Sequence, residues 1–207
     1  EKCLEVSTGT IGHYVMFGIM CPGIKPVYEG VKIAGPALTL RVPSLDSTVC
    51  HYVMELVRPG DVLVIDRCGD QQHAAVGEMV AFCAKNRGAA AIIIDGVITD
   101  VSAIRAMKMP VYARGVSSLA TRLLGIEGEI NTDVQCGGVI VHPGDIVLGD
   151  DDGVVVIPPA IADEVITKAK ISEEREVTWR KELASGRLLG DLSGASDIVR
   201  NLIANSN

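Results

Sequence analysis

Three stretches of this sequence put acidic, basic or glycine residues where strands should give way to helices. They are Asp66-Arg67-Cys68-Gly69-Asp70, Gly77-Glu78-Met79-Val80 and Asp95-Gly96-Val97-Ile98-Thr99-Asp100, and as strand and helix ends they could converge at one mouth. A helix beginning near Gly77 leaves its first N–H groups free at the positive end of the helix dipole, so the amides of residues 77–80 can hold a carboxylate or a phosphate. Asp100 offers an oxygen ligand to a hard divalent cation such as Mg²⁺. Together they suit an anionic substrate chelated to a metal. Each also has a plainer reading. Gly77 can serve close packing alone, and Asp is a favoured N-cap, so Asp100 reads on its own as the cap of a helix over 101–107.

Other candidates carry a weaker signal. His73, one turn before Gly77, reads as a proton shuttle at the mouth or as a surface residue. Asp70 reads as a carboxylate supporting the site from behind or as a loop cap. Arg114 follows a strand toward the same region, or bridges subunits. His51 and His142 read as structural. Asp150-Asp151-Asp152-Gly153 looks like a fragment of a calcium loop, but the remaining acidic ligands and the closing Glu are missing, so a tight turn is expected.

The elements that must position these residues are legible from a repeated phrase. Arg58-Pro59-Gly60-Asp61 and His142-Pro143-Gly144-Asp145 each precede a β-branched run, Val62–Asp66 and Ile146–Asp150, which predicts two equivalent turn–strand units. Further strands are expected at 31–41, 90–95, 110–113, 138–141 and 154–157, and helices at 8–19, 47–57, 74–87, 100–107 and 116–123. Alternation of strand and helix between 74 and 113 implies parallel pairing there, with antiparallel strands elsewhere. After Pro158-Pro159 the composition turns to Ala, Glu, Lys and Arg through Ser185, a long helix whose apolar spacing fades beyond Ile171. That far half reads as a solvated helix or as an oligomerisation arm. Residues 190–207 read as a loose tail. The division expected is an α/β domain over 1–160, followed by a helix and tail over 161–207.

Composition narrows the function. With 19 basic and 26 acidic residues the net charge is −7, which excludes a nucleic-acid glove. Only 3% of residues are aromatic against 48% hydrophobic, so the core is aliphatic and stacking platforms for bases are excluded. The six cysteines show no zinc spacing, and several lie in apolar runs. No disulfide framework is expected, and a reducing, cytoplasmic compartment is. No apolar run reaches membrane-spanning length, and Tyr14–Met20 is too short and too broken for a signal peptide. The chain opens on Glu1 rather than Met, so leading residues are expected to be missing.

Taken together, Gly30-Val31-Lys32-Ile33-Ala34-Gly35-Pro36-Ala37-Leu38-Thr39-Leu40, Pro59–Val64, Gly77–Val80 through Arg87-Gly88, Ile94–Asp100, Pro110–Gly115 and Pro143-Gly144-Asp145 through Asp152-Gly153-Val154-Val155 resemble the RraA-like family. That family holds the regulator of ribonuclease activity A and the class II 4-hydroxy-4-methyl-2-oxoglutarate aldolases, which also decarboxylate oxaloacetate. The resemblance implies a mixed-sheet β/β/α swivelling-type sandwich with a long C-terminal helix, assembled as a homotrimer or a dimer of trimers with active sites at subunit interfaces. It also implies that the backbone of Gly77, Glu78, Met79 and Val80 binds the pyruvate end of a small anionic 2-oxo acid, and that Asp100 holds Mg²⁺ or Mn²⁺, largely through water.

The aldolase marker is an acid, twenty residues, Arg-Asp, two residues and another acid. Here Glu78 is followed by twenty residues, then Thr99-Asp100, then Ala103 in the second acid's place. Thr99 thus replaces the arginine that grips the substrate, and His13 stands where the family usually has Asp. Losing a hydrogen bond to a charged group costs about 1.5–3 kcal/mol, or roughly 10- to 150-fold in rate. Arg67, where the family more often has glycine, is the candidate to restore that charge; otherwise it is a loop or interface residue. The expected activity is a metal-dependent lyase that stabilises the pyruvate enolate left by C–C cleavage or decarboxylation, with Asp100, Arg67 and Thr99 at its centre. The alternatives are a non-catalytic regulator that binds a protein such as a ribonuclease, and an enzyme for a different keto or hydroxy acid.

Overall fold

A computed structural model describes residues 2–206. Its helices are α1 (Thr8–Ile11), α2 (Thr48–Tyr52), α3 (Glu78–Asn86), α4 (Val101–Met107), α5 (Pro159–Ala184), α6 (Leu189–Ser193) and α7 (Ala195–Ala204). Its strands are β1 (Lys25–Pro26), β2 (Ile33–Arg41), β3 (Val62–Asp66), β4 (Ala91–Ile94), β5 (Val97–Ile98), β6 (Val111–Ala113), β7 (Gly115–Val116), β8 (Glu129–Ile130), β9 (Val134–Cys136), β10 (Val139–Val141), β11 (Ile146–Gly149) and β12 (Val154–Ile157). The main sheet runs β1-β6-β4-β3-β2-β11-β12, with β8 also paired to β2. Its centre, β2 to β3 to β4 to β6, is parallel, as the alternation of strand and helix predicts. Its flanks are antiparallel. The fold is therefore a mixed α/β sandwich around a curled sheet, closed by a long C-terminal helix.

The central strands are buried on both faces, which is why they read as unbroken aliphatic runs. Leu63, Ile65, Ile92 and Ile94 face the helices α2 to α4, while Val62, Val64, Ala91 and Ile93 face β9 to β12. Each such side chain contributes about 1.5–3 kcal/mol by leaving water. A third cluster seats α1 and the first half of α5, through Val165, Ile166 and Ala169, on β11 and β12. Beyond Ser172 no residue of α5 is buried, in keeping with the fading apolar spacing.

The two Pro-Gly-Asp turns close alike. Asp61 accepts the Arg58 amide at 2.8 Å and Asp145 accepts the His142 amide at 2.9 Å, while Gly60 and Gly144 take φ of +91° and +87°, values that glycine adopts without strain. The strands they launch, β3 and β11, both pair with β2, one parallel along Ala37–Arg41 and one antiparallel along Ile33–Pro36. At the change of partner stand Gly35 and Pro36. A Cβ on Gly35 would lie 2.0 Å from the Gly60 carbonyl oxygen, so the first turn packs directly on this strand.

Four expectations are corrected. Residues 8–19 are helical only through Ile11, because Gly12 and Gly18 interrupt the run and Gly18 takes φ of +82°. The helix expected from 74 begins at Glu78; Ala74 and Val76 instead pair as extended chain with Ala120 and Ile98. Residues 116–123 are an extended strap and not a helix, since their backbone groups bond to Ile98, Ala74, Leu45 and Ser47. The tail expected to be loose forms α6 and α7, and α7 exposes Ile198, Val199, Leu202 and Ile203. All six cysteines are free. No helix among the described residues is long and apolar enough to cross a membrane.

Candidate active site

Asp100 and Gly77 meet where α4 and α3 begin. Asp100 sits at the N-cap position of α4 in the left-handed region, φ 55° and ψ 35°, which Asp tolerates better than most residues. Its backbone carbonyl accepts from Ala103 and Ile104, as a cap should. Its side chain does something else. One carboxylate oxygen, Oδ2, accepts the Glu78 amide at 2.9 Å, and the other, Oδ1, accepts the Thr99 hydroxyl at 3.3 Å. Asp100 thus caps α3 from outside, an arrangement the sequence spacing does not reveal. The next two amides of α3, Met79 and Val80, have no acceptor among the described residues.

The approach is possible because residue 77 lacks a side chain. A Cβ there would lie 2.6 Å from Asp100 Oδ2 and 2.9 Å from Thr99 Cγ2. Gly77→Ala is expected to push the carboxylate off the helix end and lower stability by about 1 kcal/mol through the lost cap, read as a reduced denaturant midpoint at unchanged slope.

These groups line a cavity of about 290 Å³ whose walls include Gly77, Glu78, Met79, Val80, Thr99 and Asp100. Six of the seven expected site residues are therefore together. Arg67 is not among them, and its expected role at the mouth is corrected. It is fully buried, and its guanidinium donates to the carbonyls of Val42, Ser44 and His73 and meets Asp70 at 3.4 Å. Loss of solvation pulls its pKa below the ordinary arginine value, partly offset by Asp70. Asp70 in turn accepts the amides of Gln72 and His73 and pairs with the His73 ring at 2.7 Å. Burial raises the Asp70 pKa, but those hydrogen bonds and Arg67 outweigh it and leave the carboxyl below its usual range. Arg67, Asp70 and His73 form a structural knot behind the strand end. Arg114 is bound to Asp95, a charge-assisted contact that raises its pKa. The Asp150 carboxylate accepts from the Asp152 amide and from the amide and hydroxyl of Thr8, and the Asp151 carboxylate accepts from the distant Gly30 amide, so this segment is a turn as expected, tied to other parts of the chain.

The lining also includes two residues with no local signal in the sequence, His51 and Arg122, beside Ser47 and Thr121. They arrive there through Asp46. This carboxylate is almost wholly buried and accepts the hydroxyl and amide of Thr48 and the amides of Leu124, Ile126 and Glu127. Those bonds, led by the Thr48 hydroxyl, hold its pKa far below the usual carboxylate range. The strap 122–127 is thereby tied to the start of α2. A larger cavity, about 750 Å³, is lined by Tyr14–Ile19, Gly138–Ile140, His142, Asp145, Val156–Pro158 and Ile161; it is mostly apolar and shares no residue with this cluster.

The model of the RraA-like family, Aldolase/RraA, matches residues 13–156, and the chain belongs to that family. A candidate 4-hydroxy-4-methyl-2-oxoglutarate aldolase of Halalkalibacterium halodurans is 42% identical over 147 residues, 71% of this chain and 70% of that protein. An uncharacterised protein of Methanocaldococcus jannaschii is 36% identical over 172 residues, 82% of each. Among solved structures, Streptomyces coelicolor RraAS2, described as an unusual member of the RNase ES inhibitor RraA protein family, aligns with a TM-score of 0.76 at 31% identity. The alignment covers 86% of this chain and 93% of that one.

Proposed function

We propose that this chain is a divalent-metal-dependent lyase that cleaves or decarboxylates a small 2-oxo acid, of the 4-hydroxy-4-methyl-2-oxoglutarate aldolase and oxaloacetate decarboxylase type. The observation that carries the reading is the meeting, at one small cavity, of the Asp100 carboxylate with the uncommitted amides of Met79 and Val80. The likeness to a candidate aldolase supports it.

The donor set fits a water-held ion. No group of three or more His, Cys, Asp or Glu that could cage a metal exists among the described residues, which disfavours zinc or calcium and suits Mg²⁺ or Mn²⁺, held by one or two carboxylates, water and substrate oxygens. When bound, such a cation supplies polarisation of the keto oxygen and offsets the charge that develops as the C–C bond breaks. The chain's own groups do the rest. Met79 and Val80 amides bind the carboxylate beside the keto group and orient it. Glu78 N–H and the Thr99 hydroxyl hold Asp100 in place. A homotrimer or dimer of trimers would cover the exposed side chains of Met16, Phe17 and Ile140 beside the second cavity.

Incubation with oxaloacetate and Mg²⁺ or Mn²⁺ is expected to release pyruvate in a chelator-sensitive way. A panel of 4-hydroxy-2-oxo acids and oxaloacetate that yields none would overturn the proposal. It would favour the second reading, a non-catalytic binding protein, which the replacement of the motif arginine by Thr99 supports.

A further inference from the structure

We infer that α7 is an exchanged arm whose apolar face docks in the groove lined by Met16 and Phe17 of a second copy of this chain. This deepens the assembly proposed above, on which it rests, and is independent of the chemistry at Asp100. The arm lies beyond residue 156, where the family match ends. Among the described residues α7 packs closely on α6 alone, and no residue of either helix is buried. Ile198, Val199 and Leu202 form one stripe and are each more than half exposed. The polar side of the arm is already engaged, since Arg200 meets Asp197 at 2.9 Å and Asp191 at 3.7 Å. A helix of 10 residues is marginal in water unless such a face is packed. The arm therefore calls for a partner.

The groove supplies a matching surface. It is the mostly apolar cavity of about 750 Å³, whose lining also includes Ile140 and Ile161, and Met16 and Phe17 are 89% and 85% exposed. The loop that carries them is fixed: the Gly18 carbonyl accepts the Val156 amide at 2.8 Å, and a Cβ on Gly18 would lie 2.0 Å from the Val156 carbonyl oxygen. A groove formed in advance takes a helix face at little ordering cost. Distance decides whose α7 it takes. From Ile161 to Ala184, α5 runs about 35 Å. Laid straight back along it, Leu189 to Leu202 returns at most about 20 Å, so Leu202 stays about 15 Å short of Ile161 of its own chain. The area is also of the right order. With roughly 100 Å² for a fully exposed aliphatic side chain, one arm on one groove covers on the order of 500 Å². Two copies that exchange arms make two such contacts, about 1,000 Å², which a specific interface must clear.

Hydrogen exchange read by mass spectrometry tests the docking without any substrate. In wild type the α7 amides are expected to be protected, and more so as protein concentration rises. Phe17→Glu leaves the arm untouched and Leu202→Glu leaves the groove untouched, yet each should cut that protection by about 10- to 150-fold. Both side chains are exposed in the single chain, so the amides of β3 and β4 should stay protected in both variants. Mixing the two pairs an intact arm with an intact groove, and should return protection to the α7 peptide that carries Leu202. If α7 stays protected in Phe17→Glu, or mixing restores nothing, the arm assignment falls, and wild type that still sediments as a trimer or hexamer keeps the assembly. If wild type sediments as a monomer, both fall.

Discussion

Asp100→Asn should lower kcat/KM for 2-oxo acid cleavage by about 10²–10³-fold while the protein stays folded. The size follows from removing one preorganised electrostatic group at a site where charge develops in the reaction. Asn is chosen because it accepts the left-handed backbone at φ 55° nearly as well as Asp. Its amide oxygen can still accept the Glu78 N–H, so the cap on α3 survives and the loss reports charge alone. The same substitution should weaken Mn²⁺ binding, read by electron paramagnetic resonance without any turnover. Unchanged Mn²⁺ affinity together with unchanged kcat/KM would remove Asp100 from the mechanism.

Arg67→Ala should do the reverse, acting on stability before chemistry. Three carbonyls, those of Val42, Ser44 and His73, and the Asp70 carboxylate lose their shared donor inside the protein. Removing one partner from a buried charged cluster costs about 3–5 kcal/mol, which for a chain of this size lowers the melting temperature by roughly 10 °C. Thermal unfolding followed by circular dichroism tests this directly. A variant that melts with wild type but has lost activity would return Arg67 to the mouth, where its position at the end of β3 first suggested it.

The contrast between Arg67 and Arg122 shows what the sequence carries and what it does not. Pro-Gly-Asp turns are local: proline and glycine set the dihedrals and Asp61 or Asp145 closes the loop three residues away, so both turns and the strands after them are legible. The parallel centre is legible because strand and helix alternate there. That Gly77–Val80 and Asp100 belong near one another is legible through the spacing of a family the chain resembles, but the capping of α3 by the Asp100 carboxylate is not. Arg122 reaches the cavity by contacts with Leu45, Ser47 and the neighbours of Asp46, more than seventy residues upstream, and no window of sequence contains that information. The same distant bonds turn 116–123 into extended chain despite its helical spacing. Arg67 fails for the opposite reason: a charged residue after a strand looks exposed, and only the loops 42–44 and 70–73 closing over it make it internal.

The change of partner along β2 bears on how the chain is made. Ala37–Arg41 can zip to Val62–Asp66 as soon as the next strand leaves the ribosome, but Ile33–Pro36 waits for Ile146–Gly149, more than a hundred residues later. During that interval one half of β2 is an open edge of aliphatic backbone, a surface prone to wrong pairing until the second Pro-Gly-Asp turn delivers its strand. Such sequence-distant pairing is slow to form. The strand Ile146–Gly149 is therefore the part that ends the vulnerable phase of biogenesis, and nascent chains halted before Ile146 would be substrates for chaperones and proteases.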